Sequence, residues 1–366
     1  MLAGIGEFSD RGPQWDFLIV RHDVWLFANS LERFDGLGVI VCGDGEVMGA
    51  SRGRIAGPPG VPVVHAGWRP EGPRLTVAPD YREAGAKAVR YLAGRGFRHV
   101  GYFDARDLWY SDELWAGLAA ACREAALVPE RFVHGPRMKP GEGWRLDDQI
   151  SDIADWLRYR ERPLGLLAAD DTHAQRAMQG AKRAGLQVPD DVAILGVGND
   201  EDFCQFAHPS LSSIDLRLER LGFEAAAVLA NLIAGKAAPV VTRVPPGDLI
   251  HRQSSDVLGA RDEHVVRAVQ YVREHIEEPV RVDDLLEHTG LSRSNLQRRF
   301  LKALGYCPGE AIRRTRIEAV RRLLIETRLP LADIAARCGF GHVSQLSRDF
   351  KRATGHPPTH FRAELP

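Results

Sequence analysis

Four polar side chains within residues 293–298 have the chemistry to contact a nucleic acid. Arg293, Ser294, Gln297 and Arg298 surround the apolar Leu296. Arginine and glutamine can make paired hydrogen bonds to base edges, and serine suits phosphate oxygens. If this stretch is a helix, the four residues lie on a face that excludes Leu296. The chemistry expected here is therefore contact with DNA bases and phosphates.

The residues around them have the pattern of a helix-turn-helix. An apolar helical segment begins at Val282, Gly290 stands at the bend, and a second helix follows. The inner face is expected to hold Leu285, Leu286, Leu291, Leu296 and Phe300. One such match is equally compatible with an ordinary helical hairpin, because any hairpin of helices needs an apolar stripe and a glycine.

A second unit with the same pattern occupies residues 331–350, with its bend at Gly339. The predicted apolar positions are Ile334, Ala335, Cys338, Phe340, Leu346 and Phe350. The predicted outward positions are His342, Val343, Ser344, Ser347 and Arg348. Two units joined by a rigid helix can enter successive major-groove turns, about 34 Å apart, so the pair favours DNA reading.

Residues 282–362 resemble the DNA-binding domain of the AraC/XylS family. The most specific segments are 334–340, 347–351 and 355–362, together with Arg316 in the connecting helix. Leu346 departs from the family, which usually has an aromatic residue there. The resemblance implies sequence-specific binding of double-stranded operator DNA and, for an activator, RNA polymerase as a partner.

The distribution of charge agrees with a DNA-binding rear. The whole chain of 366 residues has 48 basic and 49 acidic side chains, a net charge of -1. Residues 260–366 hold 19 basic and 14 acidic side chains, whereas the preceding residues hold 29 and 35. An acidic front and a basic rear are expected when only the rear approaches a polyanion.

The front of the chain has the pattern of an α/β fold. Short apolar runs predict strands at 17–20, 38–42, 61–64, 99–103, 164–168 and 193–197, and helical patterns lie between them. Behind a connector every periodic segment is helical. The sequence thus predicts a parallel-sheet α/β domain over 1–253, a linker over 254–260, and an all-α double helix-turn-helix domain over 261–366.

Polar groups follow three predicted strands, in segments 76–80, 166–171 and 193–200. Ligands bind at such carboxyl ends in open α/β sheets. The third segment resembles the sensor domain of LacI-type repressors, a periplasmic-binding-protein-like fold of two subdomains. This resemblance implies a homodimer and a sugar cleft formed by Trp109, Asp171, Asn199 and Asp200. Together with the AraC-type tail, it implies a sugar-responsive activator whose effector is xylose or a related sugar.

Several departures from the sensor family leave the details open. Each of the carboxylates is alternatively a helix cap, Gly198 stands where the family often has an aspartate, and Ser111 follows the Trp109 region where relatives often have an arginine. Another pentose or hexose therefore remains a candidate effector. The chain also starts within what is the first helix of relatives, so a central strand is expected to be missing; an upstream start is the preferred interpretation and a degraded sensor the alternative.

The sequence argues against catalysis. It has no Gly-x-Gly-x-x-Gly opening a helix after a strand, Walker loop, nucleophile elbow or His-x-x-x-His pair, so no cofactor or metal is expected. The alternative is a sugar-metabolising enzyme or sugar-binding protein with an accessory DNA-binding tail. Five cysteines without a Cys-x-x-Cys pair predict reduced thiols, and the lack of a signal peptide or long apolar run predicts a cytoplasmic location away from membranes.

Overall fold

The computed structural model of the chain describes residues 1–19, 36–43, 60–67, 69–70, 72–105, 108–134, 146–259 and 262–359. Two parallel sheets form the front of the molecule, and helices alone form the rear. This is the predicted architecture, an α/β periplasmic-binding-protein-like front and an all-α double helix-turn-helix rear.

The first sheet has four parallel strands in the described residues. Its order is β1 (Val39–Cys42), β2 (Val63–Ala66), β3 (Thr76–Pro79) and β9 (Val241–Val244). Helix α7 (Leu218–Ile233) packs Leu221, Ala225 and Leu229 on this sheet. Helix α1 (Leu2–Arg11) lies against α7, so the predicted helical start is present.

In the part of the chain that the structure describes, the second sheet has six strands, and helices cover both of its faces. Its strands are β4 (His99–Ala105), β5 (Pro129–His134), β6 (Leu164–Ala168), β7 (Val192–Gly198), β8 (Ser212–Asp215) and β10 (Leu249–Ile250), in the order β10-β8-β7-β6-β4-β5. Only β10 is antiparallel to its neighbour. Helices α2 (Tyr81–Gly94) and α3 (Trp109–Glu124) cover one face. Helices α4 (Leu146–Arg158) and α5 (Asp171–Arg183) cover the other.

The chain crosses between the sheets three times, and hydrogen bonds join the crossings. The crossings run from β3 to α2, from β8 to α7, and from β9 to β10. The amide of Asp80 donates to the carbonyl of Val244 at 2.8 Å, and that of Gly247 donates to the carbonyl of Asp215 at 2.8 Å. The three crossings therefore form one hinge between the two sheets. A short helix α6 (Glu201–Phe206) follows β7.

The helical domain has two cores that share one helix. Its elements are α8 (Glu263–Glu274), α9 (Val282–Thr289), α10 (Arg293–Leu304), α11 (Pro308–Glu326), α12 (Leu331–Arg337) and α13 (Val343–Thr354). Leu285, Leu296 and Phe300 are fully buried with Ile312 of α11 in the first core. The second core holds all six residues predicted for it, together with Ile317, Val320 and Leu324 of α11. Helix α11 thus carries both units.

The bends of both units need glycine. Gly290 and Gly339 both have φ of +68°, in the left-handed region that other residues rarely adopt. At Gly339 a Cβ atom would lie 2.6 Å from the carbonyl oxygen of Glu278, so the position lacks room as well.

Some local predictions differ from the structure. The strand predicted at 17–20 is wrong for residues 17–19, which form no strand and have exposed apolar side chains, and Val20 lies outside the described residues. Ser254 and Ser255 are fully buried against the sensor, where the Ser254 hydroxyl donates to the carbonyl of Ile194 at 2.6 Å. The packing of the sensor, which also includes Val257, therefore extends into the stretch predicted as linker.

Candidate functional site

The predicted reading face of the first helix-turn-helix is exposed. Helix α10 presents Arg293, Ser294, Gln297 and Arg298 to solvent, because Leu296 and Phe300 are drawn into the core on its other side. Arg293 pairs with Asp283 of α9, and the Arg298 guanidinium donates to Asn295 Oδ1 at 3.1 Å. These contacts hold both arginines on the outer surface of the domain.

Helix α13 has a corresponding face. His342, Ser344 and Arg348 are exposed, Ser347 is partly buried, and Val343 packs against the second core. Gln345 is also exposed in the first turn of α13, at the position equivalent to Asn295 of α10. Sequence reasoning missed Gln345, although an outward amide at the start of a recognition helix can pair with adenine.

The connecting helix fixes the two faces relative to each other. Besides contributing to both cores, α11 uses Arg316 to donate to the carbonyls of Glu278 at 3.0 Å and Val280 at 3.3 Å. These carbonyls lie in the segment before α9, so Arg316 binds the first unit to the middle of α11. A rigid body with two exposed polar helices is suited to contacts in two turns of a duplex.

A cavity of about 330 Å³ lies between the two sheets, above the hinge. Gly43, Gly67 and Pro79 line it from the first sheet, and Leu218 and Leu221 line it from α7. From the second subdomain it is lined by Tyr81 of α2, Tyr110 of α3, Ala169, Asp170 and Val197. Small-molecule sites have this size and this combination of apolar walls with a few polar groups.

Asp170 is the acidic residue that borders this cavity. Its Oδ2 accepts a hydrogen bond from the Tyr110 hydroxyl at 3.0 Å, and its Oδ1 accepts from the backbone and ring nitrogens of His173 at 2.7 and 2.8 Å. Burial alone would raise the pKa of Asp170, but the hydrogen bonds from His173 and Tyr110 outweigh it and lower the pKa below its ordinary value. The cavity therefore contains a fixed negative charge.

The neighbouring Asp171 is directed into the protein instead. Its Oδ1 accepts from the Ser213 hydroxyl at 2.5 Å and its Oδ2 from the amide of Asp200 at 2.9 Å. A Cβ atom on Gly196 would lie 2.2 Å from Asp171 Oδ1, so β7 has room for this carboxylate only because Gly196 has no side chain. Burial raises the pKa of Asp171 despite the hydrogen bonds from Ser213 and Asp200. Asp171 thus fastens the start of α5 to the end of β7.

The other predicted sugar residues lie near the same edge. Asn199 accepts from the Arg252 guanidinium at 2.9 Å, and Asp200 caps α6 by accepting from the amide of Phe203 at 3.2 Å. Trp109 packs edge-on against Tyr81 with ring centroids 5.4 Å apart. The structure therefore brings Trp109 next to a cavity-lining ring, and the Oδ1 atoms of Asn199 and Asp200 each accept a hydrogen bond from the protein. Their role in sugar binding stays a prediction.

The aromatic side chains around the cavity form one cluster. Tyr81 and Tyr110 are stacked with centroids 4.9 Å apart, and both line the cavity. The signal for Asp170 and Tyr110 was present in the sequence, since each adjoins a residue that was chosen. Position along the chain does not say which of two adjacent side chains faces the cavity.

Comparison with known proteins supports both parts. Residues 89–255 match the family of periplasmic binding protein-like domains, and residues 285–364 match a helix-turn-helix domain family. The xylose operon regulatory protein of Escherichia coli (strain K12) is 25% identical over 373 residues, covering 99% of this chain and 93% of that protein. The corresponding protein of Haemophilus influenzae is 27% identical over 222 residues, covering 60% and 57%.

Solved structures share the fold. The structure of the xylose-binding transcription activator XylR matches 100% of this chain and 94% of its own, with a TM-score of 0.54 and 23% identity. A complex of the transcriptional regulator CelR with cellobiose matches 69% of this chain and 77% of its own, with a TM-score of 0.53 and 22% identity. None of the described helices is long and apolar enough to span a membrane. The chain is a DNA-binding transcription regulator that joins a periplasmic-binding-protein-like sensor to an AraC-type double helix-turn-helix domain.

Proposed function

We propose that the chain is a cytoplasmic, sugar-responsive activator of transcription that binds xylose or a related sugar between its two sheets. The observation that carries the proposal is the cavity of about 330 Å³, which holds the Asp170 carboxylate beside stacked Tyr81 and Tyr110. A carboxylate accepts from vicinal hydroxyls, and an aromatic ring packs on the apolar face of a sugar ring. The E. coli relative regulates a xylose operon by name, which supports the choice of sugar.

In this proposal Asp170, Tyr81, Tyr110 and Trp109 contact the sugar. Asp171, Asn199 and Asp200 stabilise the strand ends beside the cavity through their hydrogen bonds to the protein. A sugar that enters the cavity more deeply contacts these three residues as well. This assignment follows from which carboxylate borders the cavity. Asp170 lines it, whereas Asp171 does not and accepts from the Ser213 hydroxyl and the Asp200 amide.

The proposed mechanism is ligand-linked DNA binding. Sugar that contacts both subdomains favours their closed arrangement about the hinge, and closure changes the population of chains competent for the operator. Recognition helices α10 and α13 bind one asymmetric half-site per chain. The contacting residues in this proposal are Arg293, Ser294, Gln297, Arg298, His342, Val343, Ser344, Ser347 and Arg348, and we add Gln345 because it is exposed beside them. By resemblance to LacI-type sensors we propose a homodimer, and as an activator it recruits RNA polymerase.

A panel of pentoses and hexoses, starting with D-xylose, tests the proposal by thermal shift and by gel shift on genomic promoter fragments. A ligand at about 100 times its Kd stabilises the folded protein by about 2.7 kcal/mol, so the effector should raise Tm measurably. The same sugar should change DNA affinity, and operator DNA should change sugar affinity by the same factor.

Asp170→Asn keeps the oxygen that caps α5 and removes the charge, so we expect a loss of sugar affinity of about tenfold or more. Asp155→Asn on the surface of α4 is the matched control. A chain that binds no promoter fragment in preference to random competitor DNA contradicts the proposed function. Turnover of the sugar would instead indicate a sugar-metabolising enzyme.

A further inference from the structure

The sensor and the DNA-binding domain touch through a polar surface. It consists of Lys87, Tyr91, Arg95 and Asp248 on the sensor and of Glu318 and Arg321 on α11, and we call it the docking surface. A cavity of about 380 Å³ lies within it, lined by side chains of both domains. Polar, incompletely packed interfaces between domains are typical of parts that move relative to each other.

One contact of the docking surface is held firmly by the sensor. The Arg95 side chain is only 5% exposed and pairs with Glu318 at 2.9 Å. Arg95 also donates to His251 Nε2 at 3.0 Å, and its guanidinium lies 4.8 Å from the centre of the Tyr91 ring. Because these partners belong to the sensor, Arg95 is fixed before it meets α11.

The other contact reaches the hinge. Arg321 of α11 lies 3.5 Å from Asp248, in the crossing from β9 to β10 that joins the two sheets. Lys87 of α2 lies 3.6 Å from the same carboxylate and donates to the carbonyl of Gly247 at 2.5 Å. The amide of Asp215, at the end of β8 where a second crossing begins, donates to the carbonyl of Asp248 at 3.2 Å. A change in the hinge backbone therefore displaces a carboxylate that α11 contacts.

The Arg95–Glu318 and Asp248–Arg321 contacts join α11 to two different parts of the sensor. Arg95 and Glu318 join α11 to the rigid end of α2, whereas Asp248 and Arg321 join it to residues that absorb the backbone change when subdomains close. Both Asp248 and Arg321 are half-buried, and an ion pair with that exposure is weak enough to break and reform. Since α11 belongs to both helix-turn-helix cores, turning α11 moves both recognition helices.

We propose that the Asp248–Arg321 contact transmits closure of the sensor hinge to α11, with the Arg95–Glu318 pair as the fixed point about which α11 turns. This inference rests on the proposed function and names the route by which its sugar site regulates DNA binding. Asp248 and Arg321 act as positioning residues and contact neither sugar nor DNA.

The test compares DNA affinity with and without sugar for the full chain, using D-xylose or the sugar of the panel with the largest thermal shift. The ratio of DNA affinity with sugar to DNA affinity without it should fall roughly threefold or more in Arg321→Ala and in Asp248→Asn. In the double variant this ratio should be no lower than in the single variants. Sugar affinity measured without DNA should stay as in the wild type. Arg313→Ala is the matched control, because Arg313 pairs with Glu310 of its own helix.

A ratio of DNA affinities that is unchanged in both single variants overturns the transmission through Asp248 and Arg321.

Hydrogen exchange on sugar-free protein tests the docking surface separately. The Gly259 amide donates to the Arg95 carbonyl at 2.9 Å, and Glu318→Gln should speed its exchange while Glu310→Gln does not. Unchanged exchange of the Gly259 amide in Glu318→Gln contradicts the docking surface. If the wild-type protein binds DNA with the same affinity with and without every sugar, the proposed function itself is contradicted.

Discussion

Arg298 and Arg348 occupy the sixth position of two recognition helices of equal length. Each follows a buried leucine by two residues and precedes a buried phenylalanine by two, so the same packing turns both guanidinium groups outward. Arginine at such a position commonly binds guanine through two hydrogen bonds. The equivalence suggests that each unit uses the same geometry to read its part of the operator.

Replacing Arg298 or Arg348 by alanine should weaken specific DNA binding by about 1–3 kcal/mol each. Gel shifts on a retarded promoter fragment, with random competitor, measure the loss. Arg158→Ala on α4 of the sensor removes the same charge far from the reading faces and should leave affinity unchanged. Wild-type affinity in both recognition-helix variants would remove these residues from the interface.

Adjacent carboxylates at the end of β6 illustrate what sequence could establish for the sensor. Two aspartates after a buried strand predicted a polar edge, and that edge is present. The sequence favoured Asp171, but the hydroxyl of Ser213 and the amide of Asp200 occupy its oxygens, and Asp170 borders the cavity. Those donors come from β8 and the loop after β7, so no local pattern contained them.

Among elements, the two helix-turn-helix units were predictable because their signal is local. Glycine at the bend and leucine and phenylalanine at helical spacing are all within one short segment. The segment of strand β3 was predicted, but its pairing with β9 was not, because β9 comes from the far end of the sensor sequence. Strands β5 and β8 were not predicted.

Helices α2 and α3 approach so closely that two glycines form their contact. A Cβ atom on Gly117 would lie 1.9 Å from the carbonyl oxygen of Arg82, and one on Gly85 would lie 2.1 Å from that of Leu114. In Gly117→Ala the clash is with backbone and should outweigh the better helix propensity of alanine, giving a net loss of about 1–3 kcal/mol in the free energy of unfolding.

Urea denaturation of the purified variant measures that loss. Gly6→Ala in α1 is the control, because among the described residues nothing beyond its chain neighbours and its own helix backbone lies within 4 Å of the added Cβ. Alanine should stabilise that helix by up to about 1 kcal/mol. A Gly117→Ala protein as stable as the wild type would show that α2 and α3 can separate at little cost.

At the scale of the molecule, the docking surface joins residues that no sequence pattern relates. Arg95 ends the first helix of the second subdomain, and Glu318 lies in the connecting helix of the DNA-binding domain. Charge counts predicted a basic rear, but they did not predict that Arg321 of that rear faces Asp248 of the sensor instead of a phosphate. Contacts of this kind depend on how the domains dock, which only the structure describes.

His251 beneath the docking surface should make stability depend on pH. Burial, followed by the charges of Arg95, Arg273 and Arg322, lowers its pKa well below the ordinary value of 6.5, while Asp256 lies 3.7 Å away. Below that ordinary value the unfolded chain takes up a proton that the folded chain does not. The resulting loss of stability is as much as ~1.4 kcal/mol per pH unit until the folded pKa is reached.

Denaturation midpoints of wild type and His251→Gln, measured from pH 7.5 to pH 5, check this expectation. The glutamine variant should lose less stability on acidification than the wild type, because it has no imidazole to protonate when unfolded. Parallel pH profiles for the two proteins would show that the imidazole is protonated equally in both states.

Helix α11 gives apolar side chains to both cores and binds the segment before α9 through Arg316. The interval between the two reading helices is consequently built into the protein and does not adjust to the target. Such a regulator measures distance along the duplex as well as base identity. Target sites can drift in sequence at single positions, but an inserted or deleted base pair between the two contacted grooves rotates one of them out of reach.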